Sequence, residues 1–509
     1  MRKIGQLKAG VLLSYLSQIL QILITIFYTP VMLRLMDQGD YGLYQIVFSV
    51  VGFLSLMTFG FSGSYVRFFA VSEATDNPDQ GIARLNGTFI LIFGTLGIIV
   101  LLLGLWMAVN TDVVLGGKMS ETELDRAHIL MYLMVLNCAL NFPEIVFKNF
   151  MIANERFITL QTLNAISIIL NPCLTFPLLL WGKGSIGMCV ALLIITIVKL
   201  MVSAYYCIQK LKMKFCFHNL EFSAVKDIGT FSFYIFLESI ISMINVSVDR
   251  FLLGKFVGSV ATAVYAVGGQ INTLYMYLSQ TISSVFVPRI NRLVEQGNKD
   301  KELSDLFIKV GKIQFLILYM VLLGFCLFGQ RFMQLWVGES YDMSFFVAII
   351  LIVPNTINLI QNIGYEIQRA KGLQKYRSLM WLGIAILNVI ITILLIKHYA
   401  ECGAAMGTAI AWIVGSGFVM NWFYARYVHL DVKRFWKEIF FLAKGGIIPA
   451  ISFAIFYDYF KQCSICIYML GLVMFVFIYS TSMIFTGLHH IERRQFISYV
   501  KEKIFTSNL

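Results

Sequence analysis

The 509-residue sequence has little charge: Asp, Glu, Lys and Arg together make up 13% of it, and the mean hydropathy is +0.77. A soluble protein of this length needs a far more charged surface, so the composition excludes a set of water-facing domains. The sequence therefore predicts an integral membrane protein, in which the loops are too short to form a soluble catalytic domain.

Sequence signals of catalysis are also missing. There is no Gly-x4-Gly-Lys-Ser/Thr phosphate loop, no His-Glu-x-x-His and no His cluster, and the 6 histidines are scattered. The nine cysteines do not pair in predicted outer loops, and the single Cys-x-x-Cys at Cys463 and Cys466 is interpreted as small apolar filler. We therefore predict no enzymatic activity, no metal and no cofactor.

Long apolar runs fill most of the chain. Fourteen of them are long enough to cross a hydrocarbon core about 30 Å thick as helices. We predict spans at residues 9–33, 42–66, 86–109, 127–147, 157–181, 186–207, 228–248, 259–287, 306–327, 344–366, 378–396, 403–425, 439–457 and 464–487.

Basic residues show which side of the membrane each loop occupies. With the N-terminus inside, the cytoplasmic segments hold 27 Lys and Arg and the outer loops hold 9. This asymmetry follows the positive-inside rule and predicts that both termini are cytoplasmic. Because the net charge of +12 is spread over many short loops, it does not indicate nucleic-acid binding.

The chain carries an internal repeat at a shift of about 220 residues. Gly184-Ser-Ile-Gly187 aligns with Ala404-Ala-Met-Gly407, and Tyr44 aligns with Tyr265. Six helices per copy place both copies in the same orientation, related by an axis along the membrane normal. We therefore predict an all-α membrane protein with two parallel six-helix lobes at 1–220 and 221–430, and helices 13 and 14 within 431–487.

The repeat also carries a polar stripe on spans 4 and 10. In span 4, Asn137, Asn141, Glu144 and Lys148 recur at helical spacing on one face. In span 10 the same shift gives Asn358, Asn362 and Arg369, with Asn355 and Glu366 on that face. Spans 1 and 7 carry comparable stripes, namely Ser14, Gln18, Gln21 and Thr25, and Glu238, Ser242, Asn245 and Asp249.

Two interpretations of these stripes stay open. Because amides and carboxylates are costly in lipid, the stripes predict a hydrophilic cleft between the two copies. The alternative is that they only join helices to each other by hydrogen bonds, which is common in membranes. The terminal cations of the stripes on spans 4 and 10 favour the cleft, since helix pairing needs no charge.

Three short motifs and the 6+6+2 helix plan resemble a known family. The motifs are Gly42-Leu43-Tyr44 at the start of span 2, Asp249-Arg250 at the end of span 7 and Ala263-Val264-Tyr265 in span 8. The chain resembles the bacterial polysaccharide and oligosaccharide flippases of the multidrug/oligosaccharidyl-lipid/polysaccharide exporter superfamily. The resemblance implies transfer of undecaprenyl-diphosphate-linked oligosaccharide to the outer leaflet of the bacterial inner membrane, for O-antigen, capsule or a related polymer.

Cations are the side chains expected to meet a diphosphate. At the cytoplasmic side the candidates are Lys148 and Arg369, with Arg67 and Arg289 at the inner ends of spans 2 and 8. At the outer side the candidates are Arg34, Arg250 and Lys255. For each of them the alternative is ordinary interfacial placement or a salt bridge, such as Lys148 with Glu144 or Arg250 with Asp249.

Acidic residues within spans are candidates for ion coupling, foremost Glu238 in the middle of span 7, then Asp249 and Glu144. The alternative for Glu238 is a buried structural pair with a cation such as Lys199 or Lys309. The coupling ion, proton or sodium, stays open.

The remaining expectations concern partners and alternative functions. Membrane lipid and a lipid-linked oligosaccharide are the expected partners of a monomer, and docking of polysaccharide-synthesis enzymes stays open. Residues 488–509 are predicted to form an amphipathic cytoplasmic tail. A cation-coupled drug or small-solute exporter is the main alternative function, and a membrane-bound glycosyl or acyl transferase is a more distant one.

Overall fold

The computed structural model describes residues 2–218, 236–297, 299–490 and 493–494. Within these ranges the chain is helical, without β-strands. The helices of the first half are α1 Arg2–Arg34, α2 Gln38–Leu54, α3 Phe61–Glu73, α4 Pro78–Val109, α5 Thr111–Leu115, α6 Glu121–Ala153, α7 Phe157–Leu180, α8 Gly184–Tyr205, α9 at 236–243 and α10 Asp249–Phe256.

Ten further α-helices follow in the second half. They are α11 Ser259–Glu295, α12 Asp300–Val337, α13 Met343–Leu359, α14 Asn362–Ala370, α15 Gln374–Trp412, α16 Met420–Phe423, α17 Val432–Ala443, α18 Ile447–Ala454, α19 Tyr457–Gln462 and α20 Ile465–Ser482. Shorter π-helical turns join several of them, at Tyr206–Lys210, Ile244–Val248, Ile413–Val419, Tyr424–Val428 and Met483–Gly487.

The predicted all-α membrane architecture is confirmed, although the count of fourteen spans is not. In the described residues nine helices are long and apolar enough to cross a membrane, or ten if α13 and α14 form one bent span. Predicted spans 11 and 12 both lie within α15, which consists of two helices that meet at a kink at Ala400, where the backbone leaves helical geometry at φ 46°. Predicted span 13 is divided among α17, α18 and α19, and part of predicted span 7 lies outside the described residues.

Local signals in the sequence account for several helix ends. Ser120 Oγ accepts the backbone N–H of Glu123 at 3.3 Å, while the Glu123 carboxylate accepts the backbone N–H of Ser120 at 2.9 Å, so a capping box starts α6. Asp431 caps α17 in a similar way, because its Oδ1 accepts the N–H of Arg434 at 3.0 Å. Between α2 and α3 the chain turns through Phe59 and Gly60, both with positive φ, which breaks predicted span 2.

The chain forms two compact units. The first comprises residues 1–266 and 389–404, and the second comprises 267–388 and 405–509. These units are defined by packing, whereas the lobes 1–220 and 221–430 are defined by sequence repeat, which stays a prediction. Of the predicted tail 488–509, the structure describes 488–490 and 493–494 only.

The first unit is centred on an apolar core shared by α2, α3, α4 and α6. Phe89, Phe93 and Phe142 are fully buried there, and Tyr65 meets Phe89 edge to face at 5.0 Å. Residues 212–217, which follow α8, lie along α4: Cys216 N–H donates to Ala83 O at 2.9 Å and Asn86 Nδ2 donates to Lys214 O at 2.9 Å. The segment after predicted span 6 is thereby held on the first unit.

In the second unit, α20 is attached to α12 by tyrosine hydroxyls. Tyr468 donates to Phe328 O at 3.1 Å, and Tyr479 donates to Leu316 O at 2.8 Å. Aromatic rings fill the space between them, as Phe328 packs within 6 Å of both Phe453 and Phe475. The two helices that follow the predicted repeat are therefore packed against the unit and are not loose appendages.

Candidate functional site

The polar stripe of predicted span 4 lies along α6 and divides between two environments. Asn137 is half-buried and Asn141 is exposed, and Asn141 Nδ2 donates to the carbonyl of Asn137 at 2.7 Å. Glu144, in contrast, is 4% exposed. The stripe therefore presents the Asn141 amide at the surface of the unit, while the side-chain oxygen of Asn137 and the carboxylate of Glu144 are buried.

Glu144 forms an ion pair inside the first unit. Its Oε1 lies 3.5 Å from Nζ of Lys199 on α8, and the two side chains are 5% and 24% exposed. The sequence alternative that paired Glu144 with Lys148 is wrong in its partner, because the cation comes from α8. Lys148 is half-buried, and among the described residues no carboxylate forms an ion pair with it.

The corresponding amides of the second unit belong to a network that joins helices. Asn362 Nδ2 on α14 donates to Ser279 Oγ on α11 at 2.8 Å. Asn355 Nδ2 donates to Asn272 Oδ1 at 2.9 Å, and Asn358 Oδ1 accepts from Ser416 Oγ at 3.2 Å. These bonds match the alternative in which the amides pair helices, whereas Arg369, at the end of the same stripe, is exposed.

Gln314 belongs to this network and was missed by sequence reasoning. The residue is fully buried on α12, and its Nε2 donates to Ser279 Oγ at 3.0 Å and to Ser283 Oγ at 2.7 Å. The available signal was an amide in the middle of predicted span 9, opposite two serines spaced by four residues in span 8. A single amide forms no stripe along its helix, so helical spacing does not indicate it.

The segment from Asp249 to Ala266 packs within the first unit and brings two predicted outer residues into contact with other side chains. Arg250 Nη1 donates to Gln45 Oε1 on α2 at 3.1 Å, and Asp249 Oδ2 accepts the Tyr265 hydroxyl at 2.5 Å. Asp249 is 1% exposed, so Tyr265 supplies a donor that such a buried carboxylate needs. The Asp249-Arg250 and Ala263-Val264-Tyr265 motifs thus meet in space.

Close backbone packing explains the third motif, Gly42-Leu43-Tyr44. A Cβ atom on Gly42 would lie 1.8 Å from the carbonyl oxygen of Ser259, so only glycine allows α2 to approach the start of α11 this closely. Beside this contact, Ser259 Oγ donates to Glu123 Oε1 at 2.5 Å. The predicted outer ends of α2, α6 and α11 are therefore joined within the first unit.

The remaining predicted site residues are distributed over the surface. Arg34, Arg67, Arg289 and Lys255 are exposed, and Nζ of Lys255 lies 6.0 Å from the ring centre of Phe251. Glu238 is half-buried on α9, and residues 219–235, which precede that helix, lie outside the described residues. Across the described part of the chain, no group of three His, Cys, Asp or Glu side chains is arranged to hold a metal.

Comparison with known proteins identifies the family. Residues 7–294 match the model of a family described as polysaccharide biosynthesis protein, which is more than half of the chain. The chain belongs to this family. The resemblance drawn from Gly42-Leu43-Tyr44, Asp249-Arg250 and the helix plan is thereby confirmed.

Individual relatives have low sequence identity to this chain but align with most of its length. A Shigella flexneri protein named as a candidate O-antigen transporter is 22% identical over 394 residues, covering 76% of this chain and 90% of its own length. The solved structure of the lipid II flippase MurJ in an inward closed conformation is 15% identical, with a TM-score of 0.75 over 96% of this chain and 99% of its own. An inward-facing multidrug resistance transporter of the MATE family is 16% identical, with a TM-score of 0.56 over 81% of this chain and 99% of its own.

These comparisons establish the fold and the family of the chain. At these identities the solved structures show the architecture alone: a multi-pass helical membrane protein of the kind found in transporters. The named relatives are transporters and flippases, not enzymes, in agreement with the absence of catalytic motifs in the sequence.

Proposed function

We propose that this protein is a flippase that moves undecaprenyl-diphosphate-linked oligosaccharide from the cytoplasmic to the outer leaflet of the bacterial inner membrane, with both termini in the cytoplasm. The observation that carries the proposal is the combination of membership in a polysaccharide biosynthesis family with a fold that matches a lipid II flippase over nearly the whole chain. The O-antigen transporter relative supports the same substrate class.

The chemistry of the substrate explains why such a protein is needed. The sugar hydroxyls and the diphosphate would lose their water in the hydrocarbon core without replacement partners, so unassisted crossing is too costly. A protein that alternates access between the two sides can offer polar groups to the head while the polyprenyl tail stays in lipid. The exposed amide of Asn141 and the surface cations are suited to that role.

We assign capture of the diphosphate to Lys148 and Arg369, assisted by Arg67 and Arg289, and its release to Arg34, Arg250 and Lys255. Arg369, Arg67 and Arg289 are exposed, so a phosphate can reach them. Lys148 is half-buried, and among the described residues no carboxylate forms an ion pair with it. Arg250 donates to Gln45, a neutral acceptor, and no carboxylate in the described part of the chain forms an ion pair with it.

The first experiment is deletion of the gene in its host, followed by measurement of lipid-linked repeat units and surface polysaccharide. We expect repeat units to accumulate on the cytoplasmic side, surface polymer to be lost, and both to be restored by the intact gene. Unchanged repeat units with normal polymer would contradict the proposal.

The diphosphate assignment is tested by complementation with Lys148→Gln and Arg369→Gln. We expect each to lower transport by about tenfold, as for loss of one charge-assisted bond. Lys183→Gln is the matched control, because Lys183 is an exposed lysine in a predicted outer loop and lies outside the candidate set. Equal losses in all three variants at equal protein levels would contradict the assignment.

Ion coupling is the part of the proposal that rests on the acidic residues. Glu238 is the first candidate, because it is a half-buried carboxylate in the middle of predicted span 7, where an ionisable side chain is costly unless it has a function. We expect Glu238→Gln to lower transport driven by a proton or sodium gradient while leaving protein levels unchanged. Full transport with the same gradient dependence in this variant would remove Glu238 from the mechanism.

Export of a drug or small solute is the second candidate, favoured by the fold shared with multidrug transporters. It makes a different prediction for the deletion strain, which would become sensitive to cationic compounds while its lipid-linked repeat units stay unchanged. The deletion experiment therefore distinguishes the two functions directly.

A further inference from the structure

Helix α17, Val432–Ala443, is anchored to the second unit along one face. Phe435, Ile439 and Leu442 are buried, and the ring of Phe435 stacks on Phe307 of α12 with centroids 4.4 Å apart. A Cβ on Gly311 would lie 2.4 Å from the Phe435 ring, so glycine at that position of α12 allows the close packing. The orientation of α17 about its own axis is therefore set by its buried face.

The opposite face of α17 carries cations and one large apolar ring. Lys433, Lys437 and Phe440 recur at spacings of four and three residues, which places them on one side of the helix, and Lys444 follows four residues later. The two lysines are exposed, and Phe440 is 67% exposed. This face alternates positive charge with apolar surface, in contrast to the wholly apolar surface of a lipid-facing span.

The acidic residues of this region are already engaged, so they do not neutralise the exposed face. Glu438 Oε2 accepts from Lys312 Nζ at 2.8 Å and lies 3.2 Å from Nε2 of His489, while Asp431 caps the helix. Arg434 pairs with Asp305 at 2.6 Å, on a different side of the helix. Among the described residues no carboxylate pairs with Lys433 or Lys437, so both charges are available to an external anion.

We propose that this exposed face of α17 binds an anionic phospholipid, with Lys433 and Lys437 on the phosphate and Phe440 against the acyl chains. Lys433 and Lys437 come before Phe440 along this face. Although Lys444 follows the ring, the surface beyond it on α18 is apolar, with exposed Ile447, Ile448 and Ile451. Basic side chains beside an apolar ring on an amphipathic helix are the arrangement expected at an anionic membrane surface. The proposal concerns a lipid of the surrounding bilayer and is independent of the transported substrate.

The test uses the full-length chain purified in detergent and measures its melting temperature and lipid retention by native mass spectrometry. The probes are phosphatidylglycerol, phosphatidylcholine and inorganic phosphate. We expect phosphatidylglycerol to raise the melting temperature and to be retained, and phosphatidylcholine and inorganic phosphate to have little effect. If inorganic phosphate matched phosphatidylglycerol, the surface would be a site for the free ion, and the lipid proposal would be overturned.

Two double variants distinguish binding at this site from a general effect of positive surface charge. Lys433→Gln with Lys437→Gln should weaken phosphatidylglycerol binding by roughly fivefold per lysine. Lys301→Gln with Lys375→Gln removes the same charge from two exposed lysines elsewhere in the second unit and should leave binding unchanged. Unchanged binding in the first pair, or equal losses in both pairs, would overturn the proposal.

Phe440→Ala tests the contribution of the apolar contact. We expect it to weaken binding of long-chain phosphatidylglycerol while leaving the weak binding of its water-soluble short-chain form unchanged. Because Phe440 is exposed, its removal should not alter the melting temperature in the absence of lipid, which serves as the folding control. An equal effect on both chain lengths would contradict the acyl contact.

Discussion

Several residues of this protein are required because of a contact with a partner residue that lies several helices away in the sequence. Gly42 is required by the carbonyl of Ser259, and Glu144 is stabilised by Lys199. Neither partner is suggested by sequence spacing, because the contacts depend on how α2, α6, α8 and α11 pack. The chemical types were nevertheless informative, since a glycine at a helix start and a carboxylate within a span both indicate a specific requirement.

Replacement of Gly42 by Ala should destabilise the protein. The added methyl group would overlap the Ser259 carbonyl, and relief of such overpacking costs about 1–3 kcal/mol. We expect a lower melting temperature in detergent for Gly42→Ala. Gly94→Ala on α4 is the matched control, because apart from the adjoining backbone of its own helix no atom lies within 4 Å of its added Cβ. Equal melting temperatures for the two variants would show that α2 and the start of α11 separate easily.

The Glu144–Lys199 pair allows a structural role to be separated from ion coupling. Lys199→Met should destabilise the protein by about 3 kcal/mol, because it leaves a buried carboxylate without its cation. The double variant Glu144→Leu with Lys199→Met should recover most of that loss, since it removes both charges. If the double variant is stable and still transports with its gradient dependence intact, Glu144 is structural; loss of coupling in a stable protein would support the ion-coupling role.

At the scale of helices, the two halves of the predicted repeat differ in continuity. Helix α6 runs unbroken from Glu121 to Ala153, whereas its predicted counterpart divides into α13 and α14, which are bent by 43°. Ser279 Oγ donates to the carbonyl of Leu359 at this break, so a side chain replaces a lost helical hydrogen bond. Hydropathy indicates that α14 is much more polar than α13, but it carries no information about the angle between them.

Helix α17 should respond to pH through Glu438. Burial acts to raise the pKa of Glu438, but the hydrogen bond and charge of Lys312 together with His489 outweigh it, so the pKa lies below its ordinary value. The fold therefore favours the ionised form: this stabilisation is present at neutral pH and is lost as the pH falls through the folded pKa.

We expect Glu438→Gln to lower stability at pH 7 by about 2 kcal/mol, the loss expected for one hydrogen bond between charged groups. The difference from the original protein should shrink as the pH is lowered toward 4, because protonation removes the same charge. Melting curves across this pH range provide the measurement. A difference that stays constant with pH would show that the carboxylate charge does not stabilise α17.

At the scale of the whole molecule, the distribution of basic residues makes a prediction about orientation. With 27 Lys and Arg assigned to one side and 9 to the other, both termini should be cytoplasmic. A green fluorescent protein fused after Leu509 should fluoresce, and an alkaline phosphatase fused at the same position should be inactive. The opposite pair of results would invert the topology and exchange the proposed capture and release residues.

The sequence by itself determined that the chain crosses the membrane many times as helices, and three short motifs with the helix plan were sufficient to indicate the family. These properties follow from the hydropathy of short stretches of sequence, because a long run of apolar residues must be helical in lipid whatever surrounds it. Helix ends such as the capping box at Ser120 and Glu123 were also available to sequence reasoning.

Only the tertiary structure decided the partners of the polar side chains. It paired Glu144 with Lys199, joined Gln314 to Ser279, placed Arg250 on Gln45 and divided predicted span 13 so that α17 presents its lysines outward. The physical reason is that each of these contacts depends on the rotation and depth of two helices at once. Hydropathy and spacing along one helix carry no information about that relation.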